Sequence, residues 1–165
     1  MKDGHGGVSL GSECSGGIRN IYIENCNMDS PNLDRAIRLK NNAKRGGIIE
    51  NVYMRNVKIG RVTEGIITVD FMYEEGPNGK FMPVLRNVYL ENITSKTSPR
   101  IFFLKGFKGA SIDGIHLRNC TFEGANASEI IQFAGLIELN NVTVIPEKAV
   151  ESLSTRPSTV DDPKK

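Results

Sequence analysis

The sequence predicts an all-β chain folded as a right-handed parallel β-helix of about five coils, and three observations predict it. A short phrase recurs: NIYIENC at Asn20 to Cys26, NVYMRNV at Asn51 to Val57, NVYLENI at Asn87 to Ile93, GIHLRNC at Gly114 to Cys120, and a fainter IELNNV ending at Val142. The second Asn of each copy falls at Asn25, Asn56, Asn92, Asn119 and Asn141, with separations of 31, 36, 27 and 22 residues. Those separations lie in the range where one structural unit stacks on the next. Within each copy, apolar residues alternate with polar or amphipathic ones, which is the period of a strand with one buried face. A second family of β-rich runs alternates with the first, as a coil needs if it is to give a strand to each of several parallel sheets.

The elements follow in order. GVSLGSE at Gly7 to Glu13 opens the second family, which continues with RAIRLKNN (Arg35 to Asn42), GIITVDFMY (Gly65 to Tyr73), RIFFLKGF (Arg100 to Phe107) and EIIQFAG (Glu129 to Gly135). Each precedes one copy of the Asn-ended phrase. The Asn closing each strand carries both a donor and an acceptor, so a ladder of stacked Asn is expected inside the turn. Tyr22, Tyr53 and Tyr89 share one slot of successive repeats and read as a stacked stripe on the coil rather than a binding platform. The unequal separations place insertions between strands, the longest being the Gly- and Pro-rich Glu74 to Pro83. Loops of this kind carry function more often than strands do.

The pattern stops after Val144, which divides the chain into coils at 1–145 and a tail or cap at 146–165, with three prolines and no periodicity. At the other end, the first strand-like run begins within about ten residues of Met1, with no polar cap before it. The expectation is that Met1 lies inside a longer β-helix, with N-terminal coils missing. An open end of this kind is expected to self-associate end to end.

The composition is that of a globular domain: 165 residues, 39% hydrophobic, 24% charged, seventeen Gly and no Trp. A net charge of +2, without a Lys/Arg block interleaved with aromatics, argues against nucleic acid. No apolar run is long enough to cross a bilayer, and MKDGHGG lacks the apolar segment of a secretory signal. Cys14, Cys26 and Cys120 are an odd count with the wrong spacing for a metal site, so they read as buried free thiols. No metal or other cofactor is implied.

Gly4, His5 and Gly6 running into GVSLGSE, followed by Arg38, Leu39 and Lys40, resemble the Gly-His-Gly and Arg-Ile-Lys motifs of glycoside hydrolase family 28, with Leu in the middle place. That family comprises the polygalacturonases and their relatives. Tyr73, which ends its strand 35 residues after Arg38, is similar in position to a Tyr lining the family's substrate subsites. The resemblance covers about Met1 to Val144 and implies a right-handed parallel β-helix that hydrolyses α-1,4 bonds of galacturonate polymers with inversion. It also implies an extracellular or periplasmic parent protein and a pectin-type polysaccharide as partner. The family's acid and base are aspartates of an Asn-Thr-Asp and an Asp-Asp motif, both upstream of Gly-His-Gly. Only Met1, Lys2 and Asp3 precede Gly4, so hydrolysis by this stretch alone is not expected. Asp161 and Asp162 spell the second motif but sit in the non-repetitive tail, followed by Pro163, and are rejected as its equivalent.

Each candidate has a plainer reading. His5, the candidate in the catalytic region, is by itself a turn histidine between glycines; Arg38 and Lys40 at the family's spacing move the balance toward a site. Arg38 and Lys40 leave the same face of a strand, where they can grip sugar carboxylates, or else meet solvent with Asp34 or Glu13 as partners. Tyr73 serves equally as a sugar contact or as a packing edge. Asp70 is the one coil carboxylate with reach to a cleft, and its surface reading is the stronger. Two further functions stand beside the hydrolase: a noncatalytic carbohydrate-binding or structural β-helix, and a β-helix of unrelated role.

Overall fold

A computed structural model of the chain describes residues 3–147. The described residues form thirteen strands: β1 (Asp3–Gly4), β2 (Val8–Leu10), β3 (Ile18–Glu24), β4 (Asn27–Met28), β5 (Asn32–Leu33), β6 (Arg35–Lys40), β7 (Ile48–Arg61), β8 (Gly65–Asp70), β9 (Val84–Thr97), β10 (Phe102–Lys105), β11 (Ile115–Ala125), β12 (Ile130–Gln132) and β13 (Ile137–Pro146). Every ladder between them is parallel. One sheet has the order β12-β10-β8-β6-β2, a second runs β13-β11-β9-β7-β3 with β4 also on β7, and β1 pairs with β5. Apart from β3 and β4, which both pair with β7, strands adjacent in sequence thus go to different sheets, and each sheet neighbour lies one coil away. This is the right-handed parallel β-helix.

The core is built of like on like. Leu10, Leu39, Val69, Leu104 and Ile131 form one inward row of the five-stranded sheet, and Ile21, Val52, Val88, Ile115 and Ile137 form one of the larger sheet. Leu39, Val69, Leu104, Val88 and Ile115 are fully buried. Rows of this kind fix the register, because a slip by one residue would turn every apolar side chain outward.

The sequence suggested that the repeated Asn closes its strand; β3 does end just before Asn25, but in β7, β9, β11 and β13 the Asn bends the strand instead. Asn51, Asn56, Asn87, Asn92, Asn119 and Asn141 have φ between 52° and 57°. This left-handed conformation is one that Asn tolerates far better than most residues. Along β7 the inward residues are Ile49, Val52, Met54, Val57 and Ile59, spaced by three across each Asn and by two elsewhere. Each left-handed Asn inserts one outward residue, so the strand turns a corner while both arms keep their apolar face on the core. The same spacing recurs in β9 at Leu85, Val88, Leu90 and Ile93.

The ladders exist, but they lie on the exposed corners rather than inside the turn. Asn56 Nδ2 donates to Asn25 Oδ1 at 3.2 Å, Asn92 to Asn56 at 3.0 Å, and Asn141 to Asn119 at 2.8 Å. A second ladder uses the first Asn of each phrase, from Asn87 to Asn51 at 3.0 Å and from Asn51 to Asn20 at 3.1 Å. In the next coil Gly114 takes the corner with φ 64°; a Cβ there would lie 2.9 Å from the backbone nitrogen of Asn87.

The second strand family is shorter than the apolar runs suggested, because their flanking polar and glycine residues turn away: β6 stops at Lys40 rather than Asn42, and β8 at Asp70 rather than Tyr73. The three thiols are free; Cys14 and Cys120 are buried, and burial raises their pKa, whereas Cys26 is only half-buried. Most of the sequence-defined tail, with Asp161 and Asp162, lies outside the described residues.

Candidate functional site

Strand β6 carries Arg38 and Lys40 outward on either side of the buried Leu39. On β8, Thr68 and Asp70 stand beside them in register. Beyond β8 the chain returns over this face and brings Tyr73 onto both cations: Lys40 Nζ lies 4.5 Å from the ring centroid and Arg38 Cζ 5.5 Å. Three residues singled out from the sequence therefore converge on one patch. Cation over ring contacts of this length are attractive, and more so where partly desolvated.

Neither cation has a carboxylate within 4 Å among the described residues. The two acids named as their plainer partners are engaged elsewhere: Asp34 meets His5 and Arg35, and Glu13 meets Arg45 at 2.7 Å. Asp70, the neighbour of Lys40, accepts the Met72 backbone N–H on its Oδ1 at 3.0 Å. Arg38 Nε is buried without a hydrogen-bond partner, and so is the hydroxyl of Thr68 beside it. Burial, followed by the Arg38 charge, lowers the pKa of Lys40 from its ordinary value, with Glu74 opposing. An ammonium and a guanidinium held together with no carboxylate within 4 Å among the described residues attract an anion, and the guanidinium offers a two-pronged donor set for a carboxylate.

His5 is placed next to this patch but turned from it. Its Nδ1 lies 2.7 Å from Asp34 Oδ2, and the side chain is 85% exposed. The His5 hydrogen bond is the first cause holding the Asp34 carboxyl below the usual range, with Thr63 and Arg35 adding to it. Arg35 Nη1 donates to the His5 carbonyl at 3.4 Å, and its Nη2 pairs with Glu64. The following glycine explains the tripeptide: a Cβ on Gly6 would meet Ser9 Oγ at 2.6 Å and Arg38 Cβ at 3.3 Å. Glycine here lets the His5 turn lie against the strand that carries Arg38.

Tyr73 is held by a residue that the sequence reading passed over. Buried Asn42 donates from Nδ2 to the Tyr73 carbonyl at 3.1 Å and to Glu75 Oε2 at 2.8 Å, while its Oδ1 accepts the Lys44 and Arg45 N–H groups at 3.1 and 3.0 Å. Lys44 Nζ adds a contact to Glu75 at 3.1 Å. The loop after Tyr73 closes on the same segment, with Ala43 N–H donating to Gly76 and Phe81 N–H to Ala43. A Cβ at Gly79 would lie 2.0 Å from the Ala43 carbonyl oxygen, so only glycine allows this approach. The Asn41-Asn42 pair directly after Lys40 was the one available signal, since a buried Asn must satisfy several bonds.

The comparisons with known proteins bear on the family and the fold. The family model for glycosyl hydrolases family 28 matches residues 1–142. A polygalacturonase of Ralstonia solanacearum is 26% identical over 130 residues, covering 73% of this chain and 24% of that protein. The crystal structure of a hyperthermoactive exopolygalacturonase from Thermotoga maritima superposes with a TM-score of 0.77 at 30% identity, covering 86% of this chain and 31% of that one. The chain thus spans about a quarter to a third of these relatives. With a family model matching from the Gly-His-Gly turn through the last ladder Asn, the chain belongs to glycosyl hydrolases family 28.

Proposed function

We propose that this chain is the C-terminal part of a polygalacturonase-like hydrolase, working outside the cytoplasm, that cleaves O-glycosyl bonds of pectin-type polyuronides with inversion. Its own share of the work is one wall of the substrate groove. The observation that carries the reading is the pair Arg38 and Lys40, unpaired with any described carboxylate and resting on the Tyr73 ring. A galacturonate chain supplies the missing anions, and the ring supplies an apolar edge for a sugar. His5 pairs with Asp34, and Gly6 beside it lies against the strand that carries Arg38.

Inversion requires a protonated carboxyl and a second carboxylate about 6.5–9.5 Å away that activates water. The family draws both from coils preceding Gly-His-Gly, so this stretch binds without hydrolysing. A reducing-sugar assay on polygalacturonate and rhamnogalacturonan, comparing this chain with a version extended upstream, tests the reading. Activity in the extended form alone supports it; activity in neither favours a noncatalytic carbohydrate-binding or structural β-helix. That second reading draws on Asp70, the carboxylate beside Lys40, whose Oδ1 already accepts a backbone N–H. Among the described residues β2 and β3 are end strands of their sheets, and end-to-end association of this stretch is expected, which monomeric sedimentation at micromolar concentration would exclude.

A further inference from the structure

The outward face that carries Lys40 presents a second cation in the same setting. Phe103 and Lys105 on β10 pair with Thr68 and Asp70, which in turn pair with Arg38 and Lys40. Lys105 therefore lies two strands along the helix axis from Lys40, at about 10 Å given the spacing of paired strands. Its Nζ sits 4.7 Å from the Phe103 ring centroid, as Lys40 sits 4.5 Å from that of Tyr73. Like Lys40, it has no carboxylate within 4 Å among the described residues.

Asp70 stands between the two lysines in the ladder. Its charge repels an anion placed midway, so the row favours carboxylates at its two ends over one at its centre. The buried, unpartnered hydroxyl of Thr68 adds a polar atom on the same face between Arg38 and Phe103.

We infer that Lys105 and Phe103 form a second subsite, which takes a further carboxylate of the same polyuronide as it runs along the helix axis. This inference rests on the uronate reading of Arg38 and Lys40, and it makes the length of the bound oligomer the measurable quantity. A disaccharide on the first subsite does not need Lys105, whereas a longer chain reaches it.

The test is calorimetric titration of the chain with digalacturonate and tetragalacturonate. Lys105→Gln should weaken tetragalacturonate about fivefold, the range of an exposed charge contact, leave digalacturonate unchanged, and be rescued by Lys105→Arg. Equal loss for both oligomers, or no change for either, would overturn the second subsite. Arg38→Met separates the two levels: it should weaken both oligomers, and if it weakens neither, the first reading fails with or without Lys105. Absence of any tetragalacturonate binding at millimolar concentration would overturn both.

Discussion

The two outer faces of this β-helix carry similar residues and treat them oppositely. On the larger sheet, Tyr22, Tyr53 and Tyr89 stack at 5.1 and 5.2 Å, and His116 continues the stack at 4.6 Å. Stacking uses both faces of Tyr53 and Tyr89, Arg55 adds a contact 5.4 Å from the Tyr53 centroid, and Tyr22 at the end of the stack stays exposed. The charges there are also matched: Glu50 bridges Arg19 and Arg86, Glu24, Arg55, Glu91 and Arg118 form a chain of contacts, and His116 meets Glu138 at 2.7 Å. An open groove on this face is lined by Tyr53, Tyr89, His116, Arg55 and Arg118, but these charges already meet Glu24, Glu91 and Glu138. On the five-stranded sheet Arg38, Lys40 and Lys105 have no carboxylate within 4 Å among the described residues, and Tyr73 and Phe103 each have a cation over the ring. A groove marks where a ligand fits; an unanswered charge marks what the ligand must bring. The proposed function places binding on the unmatched face and leaves the matched face to stability.

The largest expected effect is one that breaks both faces together. Leu39 is fully buried directly between Arg38 and Lys40, so Leu39→Ala should cost about 2–5 kcal/mol in a denaturant titration and weaken polygalacturonate binding as the strand loosens. Loss of binding at full stability would show that Leu39 touches ligand, which its burial denies.

Substitution at a corner should affect stability alone. Asn56→Ala forfeits the ladder bonds to Asn25 and Asn92 and places alanine in the left-handed region, at a cost of about 1–2 kcal/mol. Asn56→Gly restores the backbone freedom but not the ladder, so its loss should be the smaller. If the two variants lose the same amount, the ladder rather than the conformation holds the corner.

Glu50 gives the matched face a pH signature. Hydrogen bonds from Arg86 and then Arg19 hold its carboxyl below the ordinary Glu value. The stability it contributes is therefore fully present above that ordinary value, about 4.3, and disappears as pH falls through the lower folded value. Glu50→Gln should be less stable than the parent at neutral pH, and the two should converge in acid. Constant separation down to the lowest pH would mean that packing, not charge, accounts for the loss. On the opposite face Asp70→Asn keeps the acceptor for the Met72 N–H and removes a negative charge, so polygalacturonate affinity should rise about twofold.

Much of this was legible in the chain itself, because a solenoid writes its fold once per coil. The Asn-ended phrase located β3, β7, β9, β11 and β13, and the intervening runs located β2, β6, β8, β10 and β12. The tyrosine slot located the stripe, and His116 occupies that slot in GIHLRNC. What the repeat did not reveal is what happens once only. Asn42 reaches Tyr73 across 31 residues, through a loop with no counterpart in other coils. The bend at each Asn also escaped period-two reasoning, since a left-handed residue resets the alternation rather than ending it. Arg38 and Lys40 were visible as same-face cations, but their lack of partners depends on where Asp34 and Glu13 turn, which spacing does not encode.

The most direct measurement is titration of polygalacturonate into three proteins: the parent chain, Arg38→Met with Lys40→Met, and Arg55→Met with Arg118→Met from the matched face. The first double substitution should reduce affinity about thirtyfold, on the order of 2 kcal/mol for two charge contacts, and leave the unfolding midpoint almost unchanged. The second should leave affinity intact. Equal losses in the two variants, or a loss confined to the Arg55 and Arg118 variant, would contradict the assignment of binding to the unmatched face.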